Sequence, residues 1–144
     1  SARGLSRPHP VEGGIPSPNG ITLSPDQTQL WVSEYGGKHV WNFLIEPDGT
    51  LRGGERLAEL RVPPGKKDSG GDGATTDHEG RIYVTSHEGI QMFDSGGRMG
   101  GVISRPQDKA VVSCTFGGQD RAWLYVCASD KVYRRKTLTQ GVPR

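Results

Sequence analysis

One pattern, repeated three times along the chain, restricts the folds that it can adopt. Each copy has a polar turn, a short strand, a loop and a second strand that contains an aromatic residue and a valine. The second strands span residues 30–33, 82–85 and 124–127. Their aromatic residues, Trp31, Tyr83 and Tyr125, lie about 40 to 50 residues apart, which is the period of a four-stranded β-propeller blade.

A further pair of strands is indicated after each of the first two copies. The added apolar runs span residues 40–45, 55–60, 89–93 and 99–103. Asp48-Gly49 and Gly96-Gly97 separate the members of each pair, and such dipeptides favour tight hairpins because the turn requires positive φ. The sequence therefore predicts an all-β chain of about three four-stranded antiparallel blades, which is half of a six-bladed propeller.

The same repeat predicts the boundaries of the blades. We expect one blade at 18–64, a second at 65–109 and an incomplete last blade at 110–144, because no fourth strand follows the strand at 132–135. Residues 1–17 are expected to be an irregular remnant of a preceding blade. Three blades cannot close a ring, so we expect either a missing N-terminal half or a second copy, in a homodimer, to cover the open blade edges.

Composition excludes several classes of function. The formal net charge is +2 and the basic clusters are short, so nucleic acid is not an expected partner. No apolar run approaches the roughly 18 residues that a membrane helix needs, so no membrane association is expected. Cys114 and Cys127 fit no zinc spacing and are interpreted as buried free thiols, which favours a reducing compartment. A cytoplasmic location is expected, and a periplasmic or secreted one remains open if a signal lies upstream.

Three motifs, in order, resemble the second half of the gluconolactonase, regucalcin (senescence marker protein) and luciferin-regenerating family. They are Pro18-Asn19-Gly20-Ile21 with Leu23-Ser24-Pro25-Asp26, then Gly71-Asp72-Gly73 with Asp77-His78-Glu79-Gly80, then Phe116-Gly117-Gly118 with Leu124-Tyr125-Val126. The resemblance implies a six-bladed propeller that hydrolyses a sugar lactone of the gluconolactone type to the aldonic acid. It also implies one divalent metal ion in the central channel, calcium first, with zinc or magnesium as alternatives.

The resemblance assigns roles to two residues. Asn19 matches the family's metal-binding Asn, and Asp72 matches its metal-binding Asp, which is also the proposed general base. Amide and carboxylate oxygens are the hard ligands that calcium prefers. The family's remaining protein ligand is a Glu near the N-terminus of the full protein, and it has no counterpart here. The full-length parent is therefore the expected enzyme, and this chain alone is expected to be inactive.

Simpler interpretations remain open for each candidate. Asn19-Gly20 and Asp72-Gly73 could be turn dipeptides. Glu34, after a second strand, could support the metal ligands from behind or be a solvated loop carboxylate. His87 could contact substrate at the channel mouth or be a polar loop residue. Residues interpreted as surface or turn positions are His9, His39, His78, Asp26, Asp48, Asp77 and Asp94.

A second class of function also remains open. A propeller that carries no chemistry can serve as a non-catalytic binding module, with its partner on the top face or on exposed blade edges. A serine hydrolase is disfavoured, because Ser33, Ser86 and Ser113 have no G-x-S-x-G context.

Overall fold

The computed structural model describes Leu5 and residues 8–143, and this part of the chain is built almost wholly from β-strands. A 3-10 turn at Gln119–Arg121 is the one helical element described. The strands are β1 (Pro18–Leu23), β2 (Gln29–Glu34), β3 (His39–Ile45), β4 (Leu51–Glu59), β5 (Ala74–Thr76), β6 (Ile82–Ser86), β7 (Gly89–Phe93), β8 (Met99–Ser104), β9 (Val111–Gly117), β10 (Trp123–Ala128) and β11 (Lys131–Lys136).

The strands form three antiparallel sheets in which sequence neighbours pair with each other. The sheets are β1-β2-β3-β4, β5-β6-β7-β8 and β9-β10-β11, with four, four and three strands. The innermost strands β1 and β5 contact each other, and so do β5 and β9, so the sheets radiate from one side like adjacent blades. This arrangement confirms the predicted all-β fold of about three propeller blades, the last without a fourth strand in the described part.

Each blade buries its faces against its neighbours. Trp31 and Leu60 of the first blade pack with Ile82 and Val84 of the second in one core. Tyr83, on the opposite face of β6, packs with residues of the third blade such as Leu124 in another core. Because side chains alternate across a strand, β6 serves both cores and all its residues are buried. The second blade is thus the centre of the fold.

The segment before β1 packs on the outer face of the first blade. Val11 and Ile15 lie against a small cluster of Val32, Trp41 and Phe43. Residues 8–17 contain no strand. Part of the predicted blade remnant, residues 1–4, 6 and 7, lies outside the described residues, and its identity as a remnant stays a prediction.

Apolar groups remain exposed on the two faces that end the array. Ile21 is 61% exposed and Val132 is 70% exposed. A cavity of about 640 Å³ also opens along β1, between Ile21, Leu23 and the C-terminal Val142. In a closed propeller a neighbouring blade covers such faces. The cavity contains none of the candidate site residues, so we attribute it to blade packing and not to chemistry.

The two cysteines differ from the sequence-based expectation. Cys114 is buried, and burial raises the pKa of its thiol to about 12. Cys127 is exposed, so the prediction that both thiols are buried was wrong. Its position on β10 alternates with Val126 and Ala128, whose side chains enter the core on the other face. Within the described residues, no helix is long and apolar enough to cross a membrane.

Asp77 does more than form the turn that the sequence predicted. It is fully buried and accepts hydrogen bonds from Arg81 Nε (2.7 Å), the Tyr83 hydroxyl (2.8 Å) and the Thr139 hydroxyl (3.1 Å). Burial alone raises the pKa of the Asp77 carboxyl, but these hydrogen bonds and the Arg81 charge outweigh burial and lower it. Through Thr139 and a bridge between Asp77 and Gly141, the segment after β11 is fastened to the second blade.

The inner strands approach each other so closely that one position on β1 has room only for glycine. A Cβ atom built on Gly20 would lie 2.0 Å from the Asp72 carbonyl oxygen. The same contact recurs one blade further on, where a Cβ on Gly73 would lie 2.9 Å from the Val112 carbonyl oxygen. Because the obstructing atoms belong to the backbone, no side-chain rotation relieves the overlap.

We expect Gly20→Ala to lower the free energy of unfolding by about 1–3 kcal/mol, the usual cost of forcing extra volume into a packed site. Urea denaturation monitored by tryptophan fluorescence measures this effect. Gly100→Ala is the matched control, because a Cβ there meets nothing closer than 3.7 Å. Equal stability of the two variants would contradict the proposed close packing.

Candidate functional site

The candidate residues lie at one end of the blades, where the inner strands begin and the second strands end. We call this the upper end. Asn19 is the second residue of β1, and Asp72 lies two residues before β5. Glu34 is the last residue of β2, and His87 directly follows β6. Antiparallel pairing keeps these positions together, as Pro18 pairs with Glu34 and the Asp72 N–H donates to the Thr85 carbonyl at 2.9 Å.

A single hydroxyl ties the backbones beside Asn19 and Asp72. Ser33 Oγ accepts a hydrogen bond from the Gly20 N–H at 3.0 Å and donates to the Asp72 carbonyl at 2.7 Å. Ser33 is 1% exposed, so water does not compete for these bonds. The structure therefore brings the start of β1 and the residue Asp72 side by side. Sequence reasoning considered Ser33 only as a nucleophile and missed this role.

The side chains of the two candidates differ in environment but share one property. Asn19 is exposed, and within the described part its side chain makes no hydrogen bond. Burial raises the pKa of the Asp72 carboxyl, and the neighbouring Gly73 N–H dipole opposes that shift. No cationic side chain contributes to the shift. The oxygen atoms of both side chains are thus available to a ligand, and a nearby cation would favour the charged form of Asp72.

The donor set fits a hard cation only in part. Among the described residues, no three His, Cys, Asp or Glu side chains are grouped so as to hold a metal ion. The third inner strand has Val112 where the first two blades have Asn19 and Asp72, judged by the repeated backbone contacts of Gly20 and Gly73. An amide and a carboxylate oxygen suit calcium, but Asp72 is not grouped with two further His, Cys, Asp or Glu side chains among the described residues.

Glu34 is a structural carboxylate at the upper end. It is 2% exposed, which excludes the interpretation as a solvated loop residue. Its Oε1 accepts hydrogen bonds at 2.9 Å from the Lys38 N–H, the His39 N–H and His39 Nδ1. Its Oε2 accepts one from Trp41 Nε1 at 2.8 Å. These bonds fold the loop between β2 and β3, and they also place His39 in a partly buried position that sequence reasoning assigned to the surface.

His87 has a carboxylate partner that sequence reasoning missed. His87 Nε2 lies 2.9 Å from Asp68 Oδ1, and the ring meets the Tyr35 ring edge to face. Asp68 belongs to the linker before β5, 19 residues away, so no spacing could signal the pair. Since Glu34 and Ser86 each end a second strand, His87 corresponds in the repeat to Tyr35.

Glu34→Gln is expected to lower the free energy of unfolding by about 1–3 kcal/mol at neutral pH, because a buried hydrogen-bonded carboxylate loses its charge. Burial raises the pKa of Glu34, but the four hydrogen bonds outweigh it and the pKa is lowered. Glu34 therefore stabilises the fold above the pKa of the unfolded chain, and this contribution disappears as the pH falls through the folded value. Urea denaturation from neutral to acidic pH measures it.

The control for that experiment is Glu59→Gln, since the Glu59 side chain is 64% exposed and pairs with Lys38 at the surface. A Glu34→Gln variant as stable as this control at neutral pH would refute the structural role.

Known lactonases match most of this chain. A gluconolactonase of Zymomonas mobilis is 30% identical over 135 residues, which cover 91% of this chain and 38% of that protein. A pentonolactonase of Haloferax volcanii is 31% identical over 119 residues, covering 81% of this chain and 39% of that protein. The chain thus spans well under half the length of the curated relatives that it matches.

Solved structures agree with the fold. A gluconolactonase of Xanthomonas campestris superposes with a TM-score of 0.70 at 30% identity, covering 83% of this chain and 37% of that chain. Regucalcin of Agrobacterium tumefaciens, described as a calcium-binding protein, superposes with a TM-score of 0.75 at 18% identity, covering 88% of this chain and 48% of that chain. The sequence profile of the SMP-30/gluconolactonase/LRE-like region matches residues 4–130. The chain therefore belongs to the SMP-30/gluconolactonase/LRE-like family.

Proposed function

We propose that the complete protein hydrolyses a sugar lactone of the gluconolactone type to the aldonic acid, with the help of a divalent cation. Membership of the family and relatives that are named gluconolactonase and pentonolactonase support the reaction class. The observation that carries the proposal is the pairing of Asn19 and Asp72 at the upper ends of neighbouring inner strands, tied through Ser33. Asn and Asp at one blade position are hard to explain as turn formers alone.

The cation would be held by the Asn19 side-chain carbonyl and the Asp72 carboxylate. Calcium is the first choice because both groups are hard oxygen donors, with zinc or magnesium as alternatives. The calcium-binding description of the Agrobacterium regucalcin supports that choice. When bound, the cation would polarise the lactone carbonyl and stabilise the negative charge that develops on its oxygen.

The chain's own contribution to the chemistry is a base in a fixed position. The Asp72 carboxylate takes a proton from the attacking water, whose oxygen forms a bond to the carbonyl carbon. The ring C–O bond then breaks, and the proton passes to the departing ring oxygen, which becomes a hydroxyl of the aldonic acid. The buried Ser33 hydroxyl donates a hydrogen bond of 2.7 Å to the backbone carbonyl of Asp72, and this bond helps to position the base.

The isolated chain is proposed to lack this activity. Asn19 and Asp72 are two proposed side-chain donors, whereas calcium takes six to eight oxygen ligands, so the remaining positions would fall to water, substrate or other parts of the complete protein. The chain also covers only 38% of the Zymomonas gluconolactonase, so other parts of such a protein are free to supply ligands and substrate contacts.

In the complete protein, Asp72→Ala is expected to reduce kcat/KM for gluconolactone at least about 100-fold, since general-base catalysis contributes roughly 10²–10⁴-fold. A pH-indicator assay of acid release measures the rate. Asp108→Ala is the control, because its side chain is 97% exposed and far along the chain. Full activity of the Asp72 variant would contradict its role as the base. A wild type that hydrolyses neither gluconolactone nor pentonolactones would contradict the proposed reaction.

Calcium should raise the melting temperature of the complete protein by several degrees, because a ligand at 100 times its Kd stabilises the folded state by about 2.7 kcal/mol. Asn19→Ala and Asp72→Ala should each remove this rise. Differential scanning calorimetry with and without a chelator makes the comparison. A wild type that is indifferent to calcium, zinc and magnesium would instead favour a non-catalytic binding module.

A further inference from the structure

A carboxylate and an imidazole form a pair at the upper end that the proposed hydrolysis does not use. Asp68 Oδ1 lies 2.9 Å from His87 Nε2 and also accepts the Gly70 N–H at 3.2 Å. A carboxylate can only accept hydrogen bonds, so Nε2 of His87 carries a proton. In the neutral imidazole, Nδ1 is then the nitrogen with the free lone pair.

The imidazole is held from several directions. The backbone N–H of His87 donates to the Ser69 carbonyl at 2.9 Å, which fixes the Cα from which the ring projects. Gly70 lies against the ring, since a Cβ atom there would be 2.5 Å from His87 Cε1. Tyr35 meets the ring edge to face, with the ring centroids 5.9 Å apart. These contacts fix the ring plane before any ligand arrives, which lowers the entropic cost of binding.

The linker segment that carries Asp68 is itself anchored to the first blade. Ser69 is fully buried, and both its N–H and its hydroxyl donate to the Gly37 carbonyl at 2.8 Å. Asp68 and Gly70 flank this anchor. The position of the carboxylate is therefore set by the packing of two blades and not by a mobile loop.

The free nitrogen of the imidazole is only partly buried. Nδ1 of His87 makes no hydrogen bond to any described residue. Within the described part, the buried side-chain nitrogen and oxygen atoms that lack a partner are Trp31 Nε1 and Asn42 Oδ1. His87 Nδ1 is therefore not a fully buried atom, and the His87 side chain is 21% exposed.

The pair lies at the same end of the second blade as the proposed base. The Asp72 N–H bonds to the carbonyl of Thr85, two residues before His87, at 2.9 Å. Tyr35, the counterpart of His87 in the first blade, is also exposed, at 38%. A fixed acceptor next to an exposed aromatic ring suits a polyhydroxylated ligand, because such sites combine apolar contact with a few placed polar groups.

We propose that His87 Nδ1 accepts a hydrogen bond from one hydroxyl of the bound sugar lactone, and that Asp68 is a positioning residue that fixes the tautomer presenting this acceptor. The inference rests on the proposed lactone hydrolysis and adds to it a determinant of substrate choice. Neither residue takes part in bond breaking. The pair therefore acts on binding, and its loss should change KM and leave kcat nearly unaltered.

The test uses the complete protein, gluconolactone and a set of analogues that each lack one hydroxyl. His87→Leu should raise KM for gluconolactone about 2- to 10-fold, the loss of one net hydrogen bond, with kcat almost unchanged. For the one analogue that lacks the contacted hydroxyl, the variant and the wild type should have the same KM. His87→Asn, which keeps a polar atom near the position of Nδ1, should recover part of the affinity.

Asp68→Ala should raise KM in the same selective way, and in the His87→Leu background it should add nothing, because the two residues act as one unit. His78→Leu is the matched control, since this histidine is 45% exposed and lies at the opposite end of the blades. Melting curves of all variants confirm that the fold is intact.

The outcomes separate this inference from the proposed function. An active wild type with an inactive Asp72→Ala variant, but equal KM for wild type and His87→Leu, overturns the hydroxyl contact alone. A KM increase that is the same for every analogue overturns it as well, since a general structural effect does not distinguish hydroxyls. A wild type without lactonase activity overturns both.

Discussion

The close approach of the inner strands is the constraint on which the rest of the structure depends. At Gly20 the first blade leaves no room for a side chain, because the Asp72 carbonyl occupies the space. The Ser33 hydroxyl accepts a hydrogen bond from the Gly20 N–H and donates one to the Asp72 carbonyl, so it links the two backbones. Backbone contacts consequently hold Asn19 and Asp72 side by side. Their side chains make no hydrogen bond to another side chain within the described residues.

Buried carboxylates stabilise both ends of the blades. Glu34 closes the loop between β2 and β3, and Asp77 joins the second blade to the segment after β11. Both are satisfied by several donors, which is the condition for a charge to be tolerated inside a protein. Asp72 differs from them, because burial raises its pKa and no cationic side chain compensates. A carboxylate of this kind is typical of a functional site.

The fold could be predicted because the sequence signals for strands and hairpins recur at a regular spacing. The spacing of Trp31, Tyr83 and Tyr125 and the Gly-containing hairpins indicate blades, and the repeat puts Asn19 and Asp72 at one end. Partnerships between distant polar groups could not be predicted. The Asp68 carboxylate contacts His87 because the linker packs on the first blade. This packing leaves no regular spacing of residues in the sequence from which it could be predicted. The exposure of Cys127 depends on which face of β10 is covered, which is a property of the assembled blades.

The proposed hydrolysis requires Asn19 and Asp72 to hold one cation together. The most direct measurement is a crystal structure of the complete protein grown with calcium, with the ion identified by anomalous scattering. We predict calcium at about 2.3–2.6 Å from both Asn19 Oδ1 and a carboxylate oxygen of Asp72. Calcium bound elsewhere, or the two side chains directed away from a common ion, would contradict the account.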